Sequence, residues 1–257
     1  MSLTDGLISY WKLDESSGVR EDSVGTVDLD DINTVTATSD GKIVNAAVMD
    51  QANNEYLQAT DASQLNISGN SSFAITGWIR LNLKLTPKAI IAKWNANGGD
   101  PQRQYALIWD NTIDRFQFLV SSDGTTLSSV TANSFGAPAT EIFYFFYVEH
   151  DAINDLIRIS INDGTVDTTS HTTGIFSSTT LFRIGALQGG AGEDAFQMTG
   201  DLDEIGFWNR VLTPEEVSLL YNNGDANGYD NSFHTFKFRI IESCYLNRGR
   251  GASGRNG

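Results

Sequence analysis

Cysteine is nearly absent from this 257-residue chain: Cys244 stands alone. No internal disulfide can form, so stability has to come from a buried core or a bound ion. Proline is also scarce, with 4 residues against 24 glycines. Charged residues make up 19% and aromatics 11%, which leaves room for a sizeable core of the all-β kind rather than a helical one. No apolar run approaches the ~20 residues of a membrane span. Basic residues are outnumbered, 17 to 32, for a net charge of −15. Phosphate repulsion opposes nucleic acid as a ligand of so acidic a body, whereas hard oxygen ligands suit calcium. The plainer reading of those acids is a solvated surface.

What is present is a series of short alternating segments between turn residues. Strands are expected at Leu7–Leu13, Ala46–Asp50, Tyr56–Ala59, Ser72–Leu81, Lys88–Lys93, Gln104–Trp109, Arg115–Ser121, Phe143–Glu149, Leu156–Ile161, Phe182–Ala186 and Leu202–Trp208. Residues 14–42 read as irregular. In Ser72–Leu81, Phe73, Ile75, Gly77 and Ile79 share one face and Trp78 takes the other. Asn162-Asp-Gly164 is a hairpin signal. The count is eleven to fourteen strands, with no 20–50-residue repeat. These features predict an all-β jelly-roll β-sandwich of two antiparallel sheets with one short C-terminal helix.

That helix is written in Gly200–Gly224. Strict alternation puts Leu202, Glu204, Gly206 and Trp208 on one side of a strand and Asp203, Ile205 and Phe207 on the other. Thr213 then serves as N-cap, Pro214 opens the helix, Glu216 completes a capping box, and Gly224 is the expected stop. Beyond about Asn231 the character changes. The last 26 residues hold five Lys and Arg and one acid, and residues 247–257 are rich in Gly and Arg. Residues 232–257 read as a basic tail, either disordered, one more strand, or an arm for self-assembly or a protein partner.

Four blocks resemble laminin-G-like domains of the concanavalin A-like lectin/glucanase superfamily: Gly6–Glu15 with Asp22–Gly25, Gly41–Ala47 with Glu55–Leu57, Phe73–Ile79, and Gly200–Tyr221. They span residues 6–224, so the laminin-G-like jelly-roll domain is placed at 1–231. Met49-Asp50-Gln51 departs from the Phe-Asp-Gly found in many relatives. The resemblance implies the fold, and more broadly a carbohydrate-binding, adhesive or structural module. It also implies a structural calcium between the N-terminal loop and the last core strand, with Asp22, the loop carbonyls near Gly25, and Asp203 as ligands. The alternative is that Asp22 caps a turn and Asp203 accepts backbone hydrogen bonds.

A glycosidase would need two carboxyls spaced across a cleft. Glu149-His-Asp151-Ala-Ile-Asn154 lacks the final Glu of the glucanase pattern and reads equally as a hairpin turn. The expectation is therefore no enzyme. His150, His171 and His234 lack metal spacing and read as surface or turn residues. A sugar platform would combine an aromatic ring with amides and acids. Trp94 with Asn95, Asn97, Asp100 and Gln102 fits, and Trp109 is a second option; core packing and a plain loop are the alternatives. Trp11, Trp78 and Trp208 read as core. The favoured function is a non-catalytic binding or adhesion module for glycans or another surface polymer, with calcium support. The alternative is a virion or surface-layer decoration that uses the sandwich as a rigid spacer and the tail for assembly. Its expected location is extracellular or on a virion or cell surface, without a recognisable signal peptide.

Overall fold

Alternation decides the architecture. In the strand Phe73–Leu81 every residue except Arg80 is buried, so both of its faces are covered. Phe73, Ile75, Ile79 and Leu81 enter the main core, while Ala74 and Trp78 enter a second cluster on the opposite side. The computed structural model describes residues 2–96, 101–189 and 194–229, and within them this strand is central to the first of two packed sheets. That eight-stranded sheet runs Asp167–Ser170, Leu156–Ile161, Phe143–Asp151, Phe73–Leu81, Gly200–Trp208, Ala46–Met49, Thr36–Thr38, with Leu7–Trp11 also paired to Gly200–Trp208. The nine-stranded sheet runs Leu127–Thr131, Arg115–Ser121, Gln102–Asp110, Lys88–Asn95, Phe182–Ile184, Tyr56–Ala59, Asp30–Ile32, with Leu187–Gln188 and Asp194–Ala195 beside it. Pairing is antiparallel except for the single contact Gln188 with Asn95.

The main core lies between the sheets. Phe73 stacks on Phe207 at 5.6 Å and tilts against Tyr105 at 5.3 Å, joining the two layers. Trp11 and Trp109 are buried there too, and each such side chain contributes about 1.5–3 kcal/mol by leaving water. Gly77 suits this packing: a Cβ would lie 2.4 Å from Ile205 Cδ1 and 2.8 Å from Phe146 Cζ, so both side chains would have to shift.

The helix Pro214–Tyr221 closes the outer face of the eight-stranded sheet. Thr213 caps it through Glu216 N, and the Glu216 side chain returns to Thr213 N at 2.9 Å. Val217 and Leu220 pack with Trp78, Phe145 and Trp208, and Tyr221 stacks on Trp78 at 5.9 Å. The helix ends on Asn222, which takes the left-handed conformation at φ 47°, two residues before the expected stop at Gly224. Asn tolerates that conformation, and Gly224 instead closes a following 3-10 turn.

Two further expectations are corrected. Among the described residues there are seventeen strands, more than the sequence count. The additional ones, such as Asp30–Ile32, Thr36–Thr38 and Asp167–Ser170, are short, partly exposed and polar, and lack the apolar alternation by which strands are read. Strict alternation also fails in Gly200–Trp208. Trp78 opposes Asp203 and Thr76 opposes Gly206, so Glu204 and Ile205 together face Gly77 in a β-bulge. Glu204 sits at φ 54°. Leu202, Ile205 and Phe207 therefore all enter the main core, and Trp208 points the other way. The basic tail, residues 232–257, lies outside the described residues.

Candidate binding site

The expected calcium ligands are tied to different parts of the chain. Asp22 Oδ1 accepts from the amides of Tyr10, Val24 and Gly25 at 3.0, 3.2 and 2.8 Å. Its Oδ2 accepts from Val27 N at 3.2 Å and Gln64 Nε2 at 3.0 Å. Five neutral donors surround this one carboxylate, so Asp22 organises the loop. Gly25 permits that approach, because a Cβ there would fall 2.1 Å from Gln64 Nε2. Asp203 is buried in the bulged strand, and its Oδ2 accepts from Lys42 N at 2.7 Å and Ile43 N at 3.1 Å. Its Oδ1 is buried with no hydrogen-bond partner, which fits a cation ligand. Burial, and then the neighbouring Glu204 charge, hold its carboxyl well above the ordinary 3.8. No group of three or more His, Cys, Asp or Glu suited to a metal occurs among the described residues.

The two strand carboxylates Glu149 and Asp151 share Arg158, which pairs with Glu149 and lies 2.9 Å from Asp151 Oδ2. Tyr147 donates to Glu149 as well. Burial raises the Glu149 pKa despite the guanidinium. Asp151 also accepts from Ile153 N and Asn154 N, both at 3.1 Å, and so builds the turn. Both acids have structural employment. The histidine expectation is corrected: His150 and His171 are buried, at 0% and 4% exposure, while His234 lies outside the described residues.

The sugar-platform residues fall on the outer face of the nine-stranded sheet. Tyr105, Leu107 and Trp109 enter the main core, so Ala106 and Ile108 face outward. Trp109 is thereby excluded as a platform; its Nε1 donates to Asp114 at 2.9 Å. Trp94 belongs to the outward set and packs with Ala92, Ile108 and Leu187 at 5% exposure. It is the floor of a hollow of about 460 Å³ rather than a ring standing free in a loop. Asn95 and Gln102 oppose each other where the two strands end, and Gln102 accepts from Thr179 N at 3.3 Å. Asp100 and Asn97 lie outside the described residues.

The same hollow contains residues that the spacing around Trp94 does not reveal. Arg103 lies over the Trp94 ring at 5.9 Å, and its Nε is buried without a hydrogen-bond partner. Asp110 and Gln117 supply polar groups on neighbouring strands. Leu127 and Phe196 form an apolar border, 47% and 41% exposed. The outward parity of 102–110 and 115–121 could have found Asp110, Gln117 and Leu119; Phe196 comes from a turn with no periodic signal.

A jelly-roll sandwich with a helix packed on one outer face and an apolar hollow on the other has the form of a binding module. The chain belongs to the laminin-G-like family of the concanavalin A-like lectin/glucanases superfamily, whose family model matches residues 51–218. Domains of this laminin-G type are non-catalytic binding modules. No curated protein matches the chain. Solved structures share the fold. The binding domain of Paraclostridial Mosquitocidal Protein 1 matches with a TM-score of 0.67 at 16% identity, over 87% of this chain and 53% of that one. The binding domain of botulinum neurotoxin DC in complex with rat synaptotagmin II matches at 0.64 and 16%, over 86% and 52%. A structure of botulinum neurotoxin type C, whose cell entry depends on interaction with two ganglioside molecules, matches at 0.63 and 17%, over 86% and 51%. The chain thus spans about half the length of these structures.

Proposed function

We propose that this domain recognises a glycan, or another surface polymer, on the outer face of its nine-stranded sheet. The hollow over Trp94 carries the reading. Its floor is apolar, its sides offer a guanidinium, a carboxylate and an amide, and Arg103 Nε is a buried donor left without a partner. Sugars present an apolar C–H face and a rim of hydroxyls, and this arrangement complements both. The laminin-G-like family and the ganglioside interaction of botulinum neurotoxin type C support a glycan as ligand. A module of this kind works at a cell surface or outside the cell, and no helix among the described residues is long and apolar enough to cross a membrane.

A glycan array probed with the wild type, Arg103→Ala and Gln117→Ala tests the reading. Binding should fall about tenfold for each variant, as expected when a polar contact of ~1.4 kcal/mol is lost. Binding that is equal in all three proteins would move the site elsewhere. A structural calcium is a further part of the proposal, and it rests on one atom, Asp203 Oδ1. The spacer alternative draws on the acidic body and on the basic composition of residues 232–257; unchanged assembly after removal of those residues would show that the tail is not an arm.

A further inference from the structure

Lys88 is buried at 0% exposure, at the start of the strand Lys88–Asn95. Its ammonium donates to Gln51 Oε1, to Thr86 Oγ1 at 2.8 Å and to the Gln197 carbonyl at 3.2 Å. All three acceptors are neutral. The contrast with Lys93, equally buried on the same strand, is direct: Lys93 pairs with Asp61 at 2.8 Å. Burial alone pulls the Lys88 pKa below its ordinary 10.5, and no carboxylate among the described residues pulls it back. A buried charge without a counter-charge is costly, and none of the described acids is placed here.

The three acceptors line one hollow of about 430 Å³, together with Ala52, Pro87 and Phe196. An ammonium can only donate, so the Gln51 carbonyl oxygen must face Lys88 and its NH2 group is left over. Thr86 Oγ1 accepts from Lys88, so its own proton is likewise left to donate. Among the described residues no acidic side chain lines this hollow. The result is two neutral donors backed by a positive charge, which is the electrostatic form of an anion site. Phe196, 41% exposed, borders both this hollow and the one over Trp94.

We infer that the Lys88 hollow is a carboxylate subsite, and that the ligand of this sheet face is an acidic saccharide. Its ring packs against Phe196 and the Trp94 hollow. Its carboxylate takes hydrogen bonds from Gln51 Nε2 and Thr86 Oγ1 above the Lys88 ammonium. The inference deepens the glycan reading and rests on it.

Calorimetric titration with two matched pairs of probes tests it: trigalacturonate against its methyl ester, and sialyllactose against lactose. At least one acidic probe should bind the wild type tenfold or more tightly than its neutral partner. Lys88→Met should abolish that preference and leave neutral binding intact, with a melting temperature unchanged or raised because no charge is then buried. Gln51→Glu offers a second route, placing a carboxylate of the protein on Lys88; it too should abolish the preference. A preference that survives either variant overturns the inference. Equal binding of acidic and neutral probes by the wild type also overturns it and leaves the glycan reading standing. Failure of all four probes overturns it as well, and the array with Arg103→Ala then decides the glycan reading separately.

Discussion

His150 and His171 meet edge to face, with ring centroids 5.4 Å apart and planes at 76°. Their partners dictate the tautomers. His171 Nε2 lies 2.7 Å from the Gly174 carbonyl and must donate, so its Nδ1 accepts from Ser128 Oγ at 3.0 Å. His150 Nδ1 donates to the Ser71 carbonyl at 2.8 Å, and its Nε2 is buried without a partner. A proton added there would find no acceptor and a second ring beside it.

Acid sensitivity follows from that pair. Burial, with a smaller contribution from His171, depresses the His150 pKa below its ordinary 6.5. Between 6.5 and the lower folded value the unfolded chain binds a proton that the native state does not, so stability declines as pH falls through that window. Melting temperatures at pH 7.5 and 5.5 should show the decline in the wild type. His150→Asn keeps a donor toward Ser71 and cannot titrate, so its decline should be smaller. An equal decline would assign the acid sensitivity to other groups.

Calcium should act through Asp203. If the ion completes Asp203 Oδ1, millimolar calcium raises the melting temperature, EDTA lowers it, and Asp203→Asn responds to neither. A wild-type melting temperature indifferent to EDTA removes calcium from the proposal.

Arg158 is the counter-charge for two buried carboxylates, Glu149 and Asp151. Arg158→Met strands both and should cost about 2–4 kcal/mol, the range for breaking a buried pair whose cation keeps some exposure. Urea denaturation at pH 7 would measure it. The triple replacement Glu149→Gln, Asp151→Asn, Arg158→Met should recover part of the loss, because no charge is then left unpaired.

Gly77→Ala tests the packing beneath the bulge. The new Cβ would sit 2.4 Å from Ile205 Cδ1, and overpacking of this kind costs about 1–3 kcal/mol. Phe146→Leu should relieve part of it if the second clash, at 2.8 Å, contributes. A melting temperature equal to the wild type would show that the core can shift freely there.

The fold was legible wherever a strand buries one or both faces. Tyr56–Ala59, Arg115–Ser121 and Leu156–Ile161 run as their alternation predicts, and Thr213 caps its helix through Glu216 as the local spacing demands. Edge strands such as Asp167–Ser170 were not legible, because backbone pairing holds them with little help from side chains. The candidate site was half legible. Trp94 stands out by composition, yet its burial depends on Leu187 crossing over it, a contact 93 positions away in the chain. Lys88 looks like an ordinary surface lysine in sequence; its neutral surroundings among the described residues come from three separate segments, at Gln51, Thr86 and Gln197. The phase of Gly200–Trp208 was misread because a bulge is a backbone event with no residue-type signature beyond the φ of Glu204.

Glu204 has one more consequence. Removing it on paper leaves Leu202, Asp203, Ile205, Gly206, Phe207 and Trp208 in regular alternation, with the same residues inward as before. The residue is supernumerary to the core. A single-residue deletion, ordinarily tolerated only in surface loops, is here silent to the interior of a central strand and registers only on the helix side, where Tyr10 would lose its carboxylate partner. The strand can therefore gain or lose an acid in mid-sheet as a unit of variation, independently of the sandwich that surrounds it.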